Sequence, residues 1–210
     1  MAECERVGWQ QWRWLGLLLF LFVSGCSKPV LTELQPADKI LAFGDSLTRG
    51  VGVPAEQSYP AVLQQLSGIR VINAGVPGEL SSEGLKRLPG VLDEIQPNLI
   101  ILCHGGNDIL RKRSMVELKS NLQQMIELAQ QRGIEVILIS VPKPGLWVDP
   151  PELYRELADN NRLPIDETIL GELESDRKMK SDMVHLNQQG YRLFAQAIYQ
   201  LMVQRGALSG

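Results

Sequence analysis

Residues 39–47 read KILAFGDSL. Lys39 to Gly44 is an apolar run without polar alternation, the pattern of a strand buried on both faces of a parallel sheet. It ends in Gly44-Asp45-Ser46-Leu47, and in open α/β sheets ligands bind beyond the carboxyl ends of the strands. Three further runs read the same way: IRVINA (69–74), LIILCH (99–104) and EVILIS (135–140). Helical patterns separate them. Tyr59-Pro60 opens one with Val62, Leu63 and Leu66 on a face, and Leu85, Leu88, Leu92 and Ile95 stripe a second. Leu118, Leu122, Met125, Ile126 and Ala129 stripe a third, with Gly133 where a C-cap belongs. Asp149-Pro150 reads as N-cap and first residue of a short helix with Leu153, Tyr154 and Leu157 inward. Leu163-Pro164-Ile165 reads as a short last strand and residues 188–204 as a closing helix. This alternation predicts an α/β fold: a parallel sheet covered by helices on both faces.

The chain has 210 residues, 44% hydrophobic and 21% charged, enough apolar surface for one globular domain and too much for disorder. With 21 basic and 24 acidic residues there is no basic stripe to track a phosphate backbone, which argues against nucleic acid as a partner. Three cysteines (Cys4, Cys26, Cys103) make no disulfide framework, and with two histidines no zinc-binding spacing exists. Any hydrolytic chemistry is therefore expected to be metal-free. Residues 15–23, LGLLLFLFV, fall well short of the ~20 needed to span a bilayer and fit the apolar core of a signal peptide. Val23-Ser24-Gly25-Cys26 resembles the lipobox of bacterial lipoproteins. Residues 1–25 are then a lipoprotein signal peptide, Cys26 is the lipidated first residue, and 26–38 are the lipidated cysteine and its tether. A domain over 39–206 follows. Ser27 in place of aspartate points to the outer membrane, facing the periplasm; a plain secretory signal or uncleaved anchor is the other reading.

Chemistry-bearing residues follow the predicted strands. After the second comes Asn73-Ala74-Gly75-Val76-Pro77-Gly78, and after the third Gly105-Gly106-Asn107-Asp108. Ahead of the last helix comes Asp182-Met183-Val184-His185. Acyl transfer needs a hydroxyl, a base, a group that orients the base, and donors for the developing oxyanion. Ser46 fits the nucleophile, His185 the base and Asp182 its orienter. The Ser46 and Gly78 N–H groups and the Asn107 amide fit the oxyanion hole.

In this order, GDSL at 44–47, the glycine block around Gly78, GGND at 105–108 and DxxH at 182–185 resemble the SGNH (GDSL) hydrolase family, particularly its bacterial thioesterase/arylesterase branch. The resemblance covers about residues 39–204. It implies a flavodoxin-like sandwich of about five parallel strands, no cofactor, and Ser46, Gly78, Asn107 and His185 as the four named residues, with Asp182 third in the triad. It also implies a small-molecule ester or thioester substrate, with aryl and short acyl esters the first to assay. A lipid tether favours lipid substrates such as lysophospholipids. Two departures, His104 before GGND and Leu186 after His185, bear on substrate preference.

Plainer readings stand beside these. His104 reads as a packed histidine, Asp108 as a loop brace, and Arg111-Lys112-Arg113 as a solvated turn or a contact for an anionic head group. Trp147, on the proline-rich stretch 142–162, reads equally as a specificity or a packing residue. A transferase passing the acyl group to envelope glycans, an O-acetylesterase, and a catalytically silent lipoprotein of the same fold remain open alternatives. The oligomeric state expected is a monomer.

Overall fold

Ile40, Leu41, Ala42 and Phe43 are fully buried, so β1 (Lys39–Gly44) is covered on both faces. The computed structural model describes residues 31–143 and 150–209. In it β1 lies between β2 (Arg70–Gly75) and β3 (Leu99–Cys103), and β4 (Glu135–Ile139) and β5 (Ile165–Asp166) extend the sheet beyond β3. The order is β2-β1-β3-β4-β5 and every pairing is parallel. Two groups of helices cover it. One contains α2 (Tyr59–Ser67), α7 (Ile169–Ser175) and α8 (Gln188–Gln204); the other contains α3 (Ser81–Ile95), α5 (Met115–Gln130) and α6 (Leu153–Asn161). This is the α/β sandwich that the alternation predicts.

Caps set the helix limits. The Ser114 hydroxyl accepts from Glu117 N–H at the start of α5, and Asn187 Oδ1 accepts from Gly190 N–H at the start of α8. Gly133 takes the left-handed conformation, φ 71°, and Ile134 N–H reaches back to Ala129 O after α5.

Several expectations need correction. β2 is an edge strand of part-exposed residues, because only β1 pairs with it. The helix after β4 starts at Leu153, not Pro150, and Pro151 O accepts from Tyr154 N–H just ahead of it. The last strand is displaced to Ile165–Asp166, since Leu163 N–H is used to close α6 on Ala158 O. The tether expected up to residue 38 ends earlier. Leu31 and Leu34 are buried, their N–H groups donate to Arg205 O and Ala207 O, and Thr32 N–H donates to Glu135. The signal-peptide residues, Cys26, Trp147 and Asp149 lie outside the described residues.

The tightest point of the sheet is the end of β1. Gly44 pairs with Gly75 on one side and Cys103 on the other, and a Cβ there would lie 2.0 Å from Cys103 O and 2.4 Å from Thr48 Oγ1. The carbonyl belongs to a paired strand and cannot yield. Gly44→Ala should therefore cost ~1–3 kcal/mol, the range of an overpacked core, read as a lower urea midpoint. An unchanged midpoint would show that the strands can separate at this level without penalty.

Candidate active site

Three segments leave the sheet at the level of Gly44. The first enters α1 (Ser46–Arg49), a single turn whose N-cap is Asp45. Asp45 is buried; its Oδ1 accepts from Leu47 N–H at 3.1 Å and its Oδ2 from Asn107 Nδ2 at 3.2 Å. Burial pushes this carboxyl up, against the Leu47 bond. Ser46 thus begins a turn fixed from below. Asn73 adds a brace, donating from Nδ2 to Thr48 O and accepting Gly75 N–H at Oδ1.

The second segment, from β2, turns at Val76–Glu79, where Glu79 N–H returns to Val76 O and Gly78 takes φ 77°. A side chain with a Cβ rarely adopts that conformation. The third, from β3, runs through His104 and Gly105 into α4 (Gly106–Leu110), a short helix. Asn107 is on it.

The second and third segments are laced together. Arg111 Nη2 donates to Gly78 O at 3.0 Å. Asp108 accepts from Ser81 N–H at 2.8 Å and from its hydroxyl at 2.7 Å, capping α3 from another part of the chain. His104 Nε2 lies 3.0 Å from Glu79 Oε2. The plain readings of Asp108 as a brace and of His104 as packed hold. Arg111 is tied to the Gly78 turn, a role that a charge run gave no means of finding.

The Asp182–His185 loop lies between a short 3-10 turn (Arg177–Met179) and α8. Lys180 bridges Leu186, and Ser181 N–H donates to His185 O. Inside that closure Asp182 Oδ1 accepts from the Val184 and His185 N–H groups at 2.7 and 2.8 Å, and Oδ2 pairs with His185 Nδ1 at 2.7 Å. Burial would raise Asp182, but the His185 and Val184 hydrogen bonds prevail and hold it at about 2. Leu186 is fully buried behind the loop.

One pocket gathers the first and third of these segments and the Asp182–His185 loop. Asp45, Ser46 and Asn107 line it with Val184 and Met183 from that loop, and Leu47, Leu110 and Val141 make apolar wall. Ser46, Asn107 and the His185 loop are thereby brought together. The hydrogen bond of the His185 ring runs to Asp182. Gly78 is linked to the Asn107 helix through Arg111 and does not line the pocket itself. Cys26 lies outside the described residues. Among the described residues no group of three His, Cys, Asp or Glu side chains is placed to hold a metal ion.

The sequence reading missed Glu174, on α7, which also lines the pocket. A seven-residue helix leaves too few turns for its period to register.

Comparison with known proteins points one way. The model of the GDSL-like lipase/acylhydrolase family matches residues 42–193. Esterase TesA of Pseudomonas aeruginosa is 36% identical over 130 residues, 59% of this chain and 65% of that protein. An arylesterase of Vibrio mimicus is 35% identical over 137 residues, 63% of this chain and 65% of that one. The chain thus spans just under two thirds of the length of these curated relatives. The crystal structure of TesA superposes with a TM-score of 0.73 at 25% identity, over 80% of this chain and 99% of that one.

Burial raises the Glu174 carboxyl from its ordinary 4.5 to about 7, with Lys180 opposing and Asp45 reinforcing. Between those values the folded chain holds a proton that the unfolded chain releases, so stability falls as pH rises through that window. At ~1.4 kcal/mol per unit this reaches at most ~3 kcal/mol. Glu174→Gln should therefore melt above the wild type by a margin that widens from pH 5 to pH 8. A margin independent of pH would refute the assignment.

Proposed function

The chain belongs to the GDSL-like lipase/acylhydrolase family, and from that premise we propose that it is a serine esterase hydrolysing carboxylic esters or thioesters through an acyl-Ser46 intermediate. The observation that carries the reading is the 2.7 Å Asp182–His185 pair on a loop that lines one pocket with Ser46 and Asn107.

The Ser46 hydroxyl attacks the substrate carbonyl as His185 Nε2 takes its proton. Asp182 holds Nδ1–H, which fixes the tautomer and stabilises the imidazolium that forms. Charge moves onto the carbonyl oxygen, which the Ser46 and Gly78 N–H groups and the Asn107 amide receive. Collapse expels the alcohol or thiol, which takes the proton back from His185. Water then repeats the sequence, freeing the acid and Ser46. Apolar walls from Leu47, Leu110 and Val141 suit an acyl or aryl group.

We place the protein in the cell envelope of a bacterium, held by lipid on Cys26. No helix among the described residues is long and apolar enough to cross a membrane. Leu31 is pinned to Arg205 O and Thr32 to Glu135, the first residue of β4. Both contacts lie at the amino ends of the strands, opposite Ser46. Five residues from Cys26 to Leu31 reach at most ~18 Å, and the six residues of β1 lift Ser46 a further ~20 Å. The attachment point and Ser46 thus lie at opposite ends of the strands, an arrangement that suits dissolved esters or acylated envelope glycans as well as lipids.

A fatty-acid probe should label the wild type in a bacterial host and leave Cys26→Ala unlabelled; an unlabelled wild type sinks the anchor. For the chemistry, the described domain is assayed on p-nitrophenyl esters of graded chain length. A fluorophosphonate should add its mass to Ser46, and Ser46→Ala should abolish turnover. Asn107→Ala should lose ~10²–10³ in kcat with KM nearly unmoved. A raised KM with intact kcat would make Asn107 a substrate-binding residue instead.

A further inference from the structure

Below the pocket lies a cluster that the mechanism does not use. His104 is fully buried and Glu79 nearly so. Gly105 N–H donates to His104 Nδ1 at 2.9 Å, so that nitrogen is an acceptor and the ring proton sits on Nε2. From there it is donated to Glu79 Oε2 at 3.0 Å. Arg87 holds both oxygens of Glu79, Nε donating to Oε1 at 2.5 Å and Nη2 to Oε2 at 2.8 Å, and Nη2 also donates to Ala74 O at 2.8 Å. The guanidinium stacks 4.0 Å over the Phe43 ring. Burial would raise Glu79, but the bonds from His104 and Arg87 prevail and hold it below its ordinary range. The His104 carbonyl is fixed too, by Tyr154 Oη at 2.8 Å.

Two features tie this cluster to the oxyanion donors. Glu79 directly follows Gly78, and His104 is three residues ahead of Asn107, in the connection from β3 to α4. The cluster also has space reserved for it. Gly84 sits inside α3, where glycine costs about 1 kcal/mol relative to alanine, and a Cβ there would lie 2.6 Å from His104 Nε2.

We propose that His104 and Glu79 are positioning residues: their buried hydrogen bond joins the Gly78 turn to the Asn107 helix and sets where the two oxyanion donors stand relative to Ser46. This rests on the serine-esterase reading. The three bonds lacing these segments divide the work. Arg111–Gly78 holds the exposed rim and Asp108–Ser81 the start of α3. Glu79–His104 alone connects the residue beside one donor to the strand end below the other. Without it the donors keep their identity and lose their registration, which affects the charged transition state more than the bound ester.

The test measures kcat and KM on one p-nitrophenyl ester for His104→Phe and for Gly84→Ala, each in the wild-type and the Asn107→Ala background. Active sites are counted by fluorophosphonate titration, so that kcat refers to competent molecules. Phe keeps the ring volume and loses both nitrogens; Ala at 84 favours the helix and displaces His104, which covers the case in which His104→Phe does not fold. Each should lower kcat ~10–100-fold in the wild-type background, the scale of a misplaced catalytic group, with KM within about twofold. With Asn107 already removed the same change should cost clearly less, because the group it positions is gone. Equal losses in both backgrounds, or an unchanged kcat, overturn the proposal and leave the cluster a purely structural one. An inactive wild type with unlabelled Ser46 overturns the esterase reading, and the positioning role with it.

Discussion

The placing of Ser46, the Gly78 turn and the Asn107 helix depends on the register at the end of β1, where Gly44 faces Gly75 and Cys103. Parallel strands in that register release three chain segments at one height, so Ser46, the Gly78 turn and the Asn107 helix begin from a common level. The absence of a side chain at Gly44 lets Thr48 and the Cys103 carbonyl close in. Asp45 can then reach Asn107 across β1 and β3. Had one strand slipped by a residue, the pleat would have inverted every side chain on it, and Asp45 would have lost its bond from Asn107.

How much of this was legible in the sequence follows from which forces act locally. β1, β3 and β4 announce themselves because burial on both faces demands unbroken apolar runs. The β2 run reads the same way, yet the strand lies at an edge, because sequence carries hydrophobicity and not strand order. The two residues of β5 and the seven of α7 are too short for a period to register. Leu31 and Leu34, among prolines, read as tether because their partners, Arg205 and Ala207, lie at the far end of the chain. The site divides likewise. Ser46, Asn107, Asp182 and His185 stand in local motifs and were legible. The bonds joining Gly78 to Arg111, Ser81 to Asp108 and Glu79 to His104 pair residues 25 or more apart, and nothing in either partner's neighbourhood announces the other.

Two buried carboxyls near the site meet opposite fates. Glu79 is held ionised because Arg87 and His104 supply charge and donors at once, the condition under which a buried charge is tolerated. Asp45 has the Leu47 N–H and the Asn107 amide, and burial prevails. Its value lies in direction. An acceptor at Oδ2 requires that the NH2 end of Asn107 turn toward it, and an amide nitrogen carries two hydrogens, so one remains for the pocket. Asp45 thereby decides which end of Asn107 faces the substrate oxygen in the proposed mechanism.

In the proposed mechanism the base is built on a different plan from the nucleophile and its donors. Ser46 and Asn107 rest on buried groups, whereas Asp182 is half exposed and Met183 almost wholly so. Attraction between Asp182 and a charged His185 is screened by water at such a site, so charge alone would orient the ring poorly. The loop compensates locally. Asp182 accepts from two successive N–H groups of its own loop while holding Nδ1, and Ser181 closes the loop on His185 O. The carboxylate is thus fixed by the backbone of the residue whose ring it orients, and neither can move without the other. A short exposed loop can in this way hold a catalytic tautomer with little burial. In the proposed mechanism the contribution of Asp182 is then chiefly geometric, fixing the proton on Nδ1 and leaving Nε2 free to receive the one from Ser46.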